Sequence, residues 1–195
     1  MILDLIVNTN EEKSVNSAVA LADKYLVENG FDASEVAVVY PDDLASFVGP
    51  DTKVLGISSM DPTGMGYVSK TYSSIIGGGE PMNALEFKRL VKHPSIEKFK
   101  PKIIVGGFGS WQLERKNFTD KYNIDCVIMG GRPDPIVNVF KKLVNGEAVP
   151  RVVHADESLR NWDYGTMPLV KHAAIHIEVP QPDFWSLHAN FELKR

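Results

Sequence analysis

The segment KIIVGGFGSWQL, Lys102–Leu113, begins as a buried β-strand and ends in a glycine-rich turn. Its apolar run, Ile103–Val105, is continuous rather than alternating, which is typical of a strand covered on both faces of a parallel sheet. Three glycines, Gly106, Gly107 and Gly109, follow within four residues. Such a cluster indicates either a turn too sharp for a side chain or another group lying against the backbone.

Four further segments have the composition of strands. Two of them, Lys53–Ser58 and Ile124–Gly131, are continuously apolar, and the other two are Met1–Asn8 and Glu35–Tyr40. Helical patterns lie between these strands. Together they predict an α/β protein whose doubly wound, flavodoxin-like (Rossmann-type) parallel sheet has five strands and helices on both faces.

Three helices are predicted from their caps and apolar spacing. The connection from Ser59 to Pro101 contains the second of them and otherwise reads as a long loop, a feature that is usually functional or mobile in a compact domain. The predicted helices run from Thr9 or Asn10 to Gly30, from Asn83 to about His93, and from Asp134 to about Gly146.

The α/β pattern ends near residue 150. The segment Pro150–Ala155 is compatible with one further strand, and the chain beyond it fits no clean element. We therefore predict one domain over residues 1–150 and a C-terminal extension over 151–195.

Composition excludes several classes of partner. The chain has 195 residues, is 44% hydrophobic and carries a net charge of −4. Nucleic acid is not expected as a partner, because neutralising phosphates needs clustered Lys and Arg. No secretory signal pattern and no membrane-spanning run are visible. The sequence therefore predicts a cytoplasmic protein with no membrane partner.

The chain has a single cysteine, Cys126, within an apolar run. That setting predicts a buried, inert thiol rather than a nucleophile. One cysteine also excludes an iron–sulfur cluster or a structural zinc site held by several thiolates of this chain.

Ligands of open parallel sheets bind at the carboxyl ends of the strands. Three of the predicted strands end in small, polar or glycine-rich residues, which favours close approach of a flat or extended ligand. Turns between strands and helices often use Gly and Ser in any case, so a single such end would carry little weight. The candidate cofactor-binding residues are Ser58, Ser59, Asp61, Thr63, Gly64, Gly106, Gly107, Phe108, Gly109, Gly130, Gly131 and Arg132.

Several familiar sites are excluded by their motifs. No G-x-x-x-x-G-K-[ST] phosphate loop is present, and the dinucleotide pattern fails because Gln112 stands where its third glycine would be. The sequence shows no nucleophile elbow and no catalytic triad. His172 and His176 have helical spacing for a metal pair but lack an obvious third ligand.

Four stretches together resemble a known family. They are Gly56-Ile57-Ser58, Val105-Gly106-Gly107, Ile124–Gly130 and VNVFKKLVNGEAVPRVV. In this order they are similar to the cobalamin-binding domain of B12-dependent radical SAM proteins, over roughly residues 1–155. The segment SSIIGGGEPMNALEFKRL resembles an archaeal-type branch of that family.

The resemblance implies a place for the cofactor. The corrin ring would lie across the strand ends, and its nucleotide tail would enter a groove beside the sheet. Gly106 and Gly107 would leave room for the tail, while Ser58 and Thr63 would offer hydroxyl groups. The far wall of the groove would be lined by Gly130, Gly131 and Arg132.

The chain departs from the cobalamin pattern after strand one and after strand five. The sequence NTNEEKS replaces the D-x-H-x-x-G motif, so the resemblance implies cobalamin bound base-off without a lower histidine. GGRPDP stands where relatives commonly have Gly-Glu-x-Glu, so this chain would line that wall of the groove with different side chains.

The chain also lacks the cysteine triad and the barrel of radical SAM chemistry. Its extension contains KHAAIH, which resembles the linker that precedes that domain. The resemblance thus implies a cobalamin-binding module of a methyltransferase-like parent, inactive alone, with a radical SAM domain or a second subunit as partner.

Two other functions remain open. The same strand ends could hold FMN or a nucleotide in another flavodoxin-like class. The chain could also be a degenerate scaffold that binds nothing, in which case its own side chains should fill the space beside Gly106.

Overall fold

The computed structural model describes residues 3–8, 25–75, 77–130 and 133–155, and it contains a six-stranded sheet. All five strand pairings are parallel, and the spatial order is β2-β1-β3-β4-β5-β6. The strands are β1 (Leu3–Asn8), β2 (Val36–Val39), β3 (Thr52–Ser58), β4 (Lys102–Gly106), β5 (Cys126–Met129) and β6 (Val152–His154).

The sixth strand corrects the predicted count of five. Val152–His154 pairs with β5, with His154 opposite Met129. This strand has three residues, which is too short for periodicity to separate it from a loop. The pairing of Val152–His154 with β5 confirms that the segment Pro150–Ala155 contains a further strand.

Two of the three predicted helices are confirmed, and shorter ones accompany them. The first predicted helix lies largely outside the described residues, of which 25–28 are helical. The Ser59–Pro101 connection, interpreted as a loop with one helix, contains three helices. The helices with described bounds are α1 (Leu44–Phe47), α2 (Tyr67–Ile75), α3 (Met82–Val91), α4 (Pro94–Phe99), α5 (Lys116–Lys121) and α6 (Pro133–Val144).

Two apolar clusters pack against the central strands. Consecutive residues of β3 belong to different clusters, Val54 to one and Leu55 to the other. Successive side chains of a strand point to opposite faces, so both faces of this strand are buried. Helix α3 contributes Phe87 to the cluster of Leu55, and α6 contributes Phe140 to the cluster of Val54.

Because the strands are parallel, their carboxyl ends lie along one edge of the sheet. This carboxyl edge carries the predicted site, and β3 and β4 are neighbours there, with Ser58 opposite Gly106. Within the described part of the chain, no helix has the length and apolarity that crossing a bilayer would require.

Candidate functional site

The loops that follow β3 and β4 are joined through their backbones. The N–H of Ser59 donates to the carbonyl oxygen of Gly106 over 3.0 Å, and the N–H of Gly109 donates to the carbonyl oxygen of Ser59 over 3.0 Å. These bonds continue the β3–β4 pairing past the ends of the strands. The two loops therefore form one unit at the centre of the carboxyl edge.

The hydrogen-bonded contact between the two loops requires glycine at positions 107 and 109. Gly107 has a φ of +93°, and a β-carbon there would lie 2.7 Å from the carbonyl oxygen and 2.8 Å from the nitrogen of Ser59. A β-carbon at Gly109 would overlap the carbonyl group of Met60. At these two positions the group lying against the backbone is the protein's own chain.

Gly106 differs from Gly107 and Gly109 in what surrounds it. Among the described residues, only the carbonyl oxygen of Ile128 lies within 4 Å of a β-carbon built there, at 3.8 Å. Its φ is not in the left-handed region. Gly106 shares a face of β4 with Ile104, which packs in the cluster of α6. Among the described residues, a small side chain at Gly106 would therefore make only this ordinary contact on the α6 face of the sheet.

Asp61 is a buried carboxylate in the β3 loop. Its side chain is engaged by the protein itself, because Oδ1 accepts from the N–H of Gly66 over 2.9 Å and from Nε2 of Gln112 over 2.7 Å. Its Oδ2 accepts from the hydroxyl of Ser69 in the first half of α2. Asp61 thus connects the β3 loop, the start of α2 and the segment after β4.

The protonation state of Asp61 follows from these contacts. Burial raises the pKa of the carboxyl, but its hydrogen-bond donors, led by Ser69, more than offset burial and hold the pKa below its usual value. Asp61 is therefore ionised at neutral pH. It is 6% exposed, so it supports the loop from within.

Gln112 is the second half of this network. It lies in the 3₁₀ helix Ser110–Leu113 and is 2% exposed. Its Oε1 accepts from the N–H of Thr63 over 3.0 Å and from the Thr63 hydroxyl over 2.7 Å. The Thr63 hydroxyl, predicted to face a ligand, thus already donates to a protein group.

Large apolar side chains project from the joined loops. Met60 is 58% exposed, Phe108 is 82% exposed and Trp111 is 50% exposed. They belong to the loops that the Ser59–Gly109 bond joins, so they lie on a common support. The apolar tips, defined as Met60, Phe108 and Trp111, are suited to contact an apolar ligand or partner surface.

The remaining predicted residues are spread along this edge. Ser59 is buried where the two loops meet, and Ser58 is half-buried beside Gly107. Gly64 lies against Pro81 at the start of α3. Gly130, with a φ of +100°, is exposed after β5. Gly131 and Arg132 lie outside the described residues.

Sequence reasoning missed the supporting roles of Gln112 and Ser69. In the sequence, Gln112 is a mismatch to the dinucleotide pattern, and that mismatch does not indicate which residues it contacts. Its partner Asp61 is 51 residues away in the sequence. An unusual polar residue in an apolar turn was the one available signal.

No metal centre is formed by the part of the chain that the structure describes, where no three His, Cys, Asp or Glu side chains converge. Cys126 is fully buried, and burial, together with the charge of Asp125, raises the pKa of its thiol to about 12. The thiol is therefore protonated and inert at neutral pH, as its apolar setting predicted.

Comparisons with protein-family models, with curated proteins and with solved structures found no match to this chain. Its function is therefore inferred from its residues and their arrangement.

Proposed function

We propose that the chain is a cytoplasmic corrinoid carrier, a cobalamin-binding module with a doubly wound, flavodoxin-like fold. The observation that carries the proposal is the room beside Gly106, where a β-carbon would make only an ordinary contact with a described atom. Gly107 and Gly109 are explained by the chain's own packing, whereas no close contact with a described residue accounts for the missing side chain of Gly106. A ligand segment that passes the end of β4 on the α6 face would account for it.

The carboxyl edge also suits the ring of such a cofactor. The apolar tips offer side chains that could pack against the face of a macrocycle. The hydrogen bonds of Asp61 and Gln112 hold the loops before a ligand arrives. This preorganisation supports binding because less chain entropy is lost on association.

The proposed carrier uses no histidine from the loop after β1 beneath the cobalt. In a whole enzyme of the radical SAM type, the corrinoid would supply a methyl group to a substrate. The residues of this chain would bind and orient the cofactor, and the partner domain or subunit would hold the substrate. Alone, the module would be inactive.

Reconstitution with hydroxocobalamin followed by gel filtration tests the proposal. We expect corrin absorbance to co-elute with the full chain, with a base-off spectrum. His154 ends β6 on this edge, so His154→Ala should leave that spectrum unchanged. Corrinoid that elutes entirely apart from a folded chain would overturn the proposal.

Gly106→Val is the informative variant. Its side chain would occupy the room beside β4 while the fold is kept, and we expect corrinoid binding to weaken at least about tenfold. Gly79→Val is the matched control, because no described atom lies within 4 Å of a β-carbon at Gly79. Equal binding by both variants would show that no ligand passes Gly106.

FMN is the second candidate, favoured by the exposed rings of Phe108 and Trp111, on which a flat flavin could stack. Thermal stabilisation by FMN and not by hydroxocobalamin would replace the corrinoid proposal with this one. A chain that responds to neither would be the non-binding scaffold.

A further inference from the structure

A second concave site lies at the opposite edge of the sheet. A cleft of about 660 Å³ opens at the amino ends of β4 and β5, between α4 and α5. This volume is within the range of pockets that bind small molecules. The cleft is on the far side of the sheet from the apolar tips and Gly106, so the proposed corrinoid site does not account for it.

Basic side chains outnumber acidic ones in the lining of the cleft. Five basic and three acidic side chains line it, in a chain whose net charge is −4. Two of the basic residues are already paired, since Lys102 Nζ lies 2.8 Å from Asp125 Oδ1 and Arg151 pairs with Asp120. The other three, Lys92, Lys100 and Lys121, make no ion pair with another residue that the structure describes. Lys121 Nζ does lie 5.4 Å from the centre of the Tyr122 ring, in a cation–π contact.

Tyr122, whose ring packs in the apolar core, is also a lining residue of the cleft. Its side chain is 4% exposed, and its ring packs edge-on against Phe87 at 5.6 Å and stacks on Phe118 at 6.3 Å. Its hydroxyl forms no hydrogen bond with any described residue. A buried hydroxyl without a partner is unfavourable, and a bound ligand or water in the cleft would satisfy it.

Lysines beside helix ends also have a local electrostatic role. Helices α4 and α5 end at this cleft, and their last carbonyl groups carry partial negative charge that Lys100 and Lys121 offset. That role leaves the Tyr122 hydroxyl and the concave shape unexplained. An anion in the cleft would satisfy both the hydroxyl and the unpaired ammonium groups.

We propose that this amino-edge cleft binds a compact phosphate-bearing anion, with Lys92, Lys100 and Lys121 supplying charge and the Tyr122 hydroxyl donating a hydrogen bond. The site is independent of the corrinoid proposal. Phosphate and pyrophosphate groups present several acceptor oxygens, which match ammonium and hydroxyl donors.

Inorganic pyrophosphate is the probe, titrated into the full chain by calorimetry at constant ionic strength. Lys100→Asn removes one charge at a left-handed position, φ +52°, that asparagine tolerates. We expect pyrophosphate to bind this variant about tenfold more weakly. Lys141→Gln, on the exposed surface of α6, is the matched control and should bind as the parent does.

Tyr122→Phe separates binding from structure. It removes only the hydroxyl, so without ligand its melting temperature should equal or exceed that of the parent. With pyrophosphate it should gain less in melting temperature than the parent gains. The proposal is overturned if pyrophosphate does not bind saturably, or if Lys100→Asn, Lys141→Gln and Tyr122→Phe all bind as the parent does.

Discussion

Gln112 donates a hydrogen bond from Nε2 to Oδ1 of Asp61 over 2.7 Å, and this bond joins the segment after β4 to the loop after β3. Both side chains are buried. Because Gln112 also accepts from Thr63, the bond is part of a chain of contacts across the carboxyl edge. The support of the candidate site is therefore an internal polar network.

Replacing Gln112 with methionine should destabilise the fold. The substitution keeps the length of the side chain but removes its bonds with Thr63 and Asp61, and it leaves a buried carboxylate with one donor fewer. We expect the free energy of unfolding to fall by about 2–4 kcal/mol. Urea denaturation measures this, and Asn117→Met on the exposed surface of α5 should change it by less than about 0.5 kcal/mol. Equal losses in both variants would contradict the network.

Asp61 should make stability depend on acid pH. Its folded-state pKa is lowered, so its contribution is present above the ordinary aspartate pKa of about 3.9 and is lost as pH falls through the folded value. Asp61→Asn should be less stable at pH 7 and should show a shallower fall in stability below pH 4. The measurement is urea denaturation from about pH 2.5 to 7.

Asp32 provides a comparison for the loss of stability at acid pH. Its pKa is also lowered, by hydrogen bonds from Ser34, but it lies in an exposed turn. Asp32→Asn should leave most of the parent's pH dependence in place. If Asp61→Asn retains the full slope as well, the ionised carboxylate is not what stabilises the joined loops at neutral pH.

Gly107→Ala should destabilise the protein whether or not a ligand binds. The left-handed backbone and the contact with Ser59 both oppose a β-carbon, and together they should remove about 2–4 kcal/mol. Gly79→Ala, in open space and outside the left-handed region, should stay within about 0.5 kcal/mol of the parent. Chemical denaturation of both variants measures the difference. An unchanged free energy of unfolding in Gly107→Ala would contradict the close contact between Gly107 and Ser59.

Cys126 should react with thiol reagents only when the fold opens. Its folded pKa is about 12, so thiolate is scarce and the sulfur is covered. Stability from this group is full below the unfolded thiol pKa of about 8.5 and declines as pH rises towards 12. Labelling with a disulfide reagent at pH 8 should follow the unfolding rate. Rapid labelling of the native protein would contradict the burial.

Much of the α/β pattern could be predicted because it is encoded locally. Continuous apolar runs marked Thr52–Ser58 and Lys102–Gly106. The Asp134-Pro135 pair marked the start of α6, although the helix begins at Pro133, so Asp134 lies in its first turn and is not the predicted N-cap. Helix α2 was missed because, among its described residues, none is buried, so it has no apolar face packed on the core to show in the sequence. The edge strand β6 was missed in the count because of its three-residue length.

The candidate site could be located by sequence but not interpreted by it. The glycines after β4 were visible, yet all three looked alike. Their reasons differ, because Gly107 and Gly109 lie too close to Ser59 and Met60 for a β-carbon, whereas a β-carbon at Gly106 would meet only one described atom, at the ordinary contact distance of 3.8 Å. Asp61 and Thr63 were expected to face a ligand, and the structure instead directs their side chains to protein partners.

The sequence by itself determined five of the six strands, the α/β class, the buried thiol and the places where side chains are missing. Periodicity, caps and glycine positions are properties of neighbouring residues, so they are readable along the chain. Only the tertiary structure decided that β3 lies beside β4. That neighbourhood brings the backbones of Ser59 and Met60 against Gly107 and Gly109, whereas it brings no described atom that close to Gly106. Contacts between loops 51 residues apart depend on which strands become neighbours, and no local pattern specifies that.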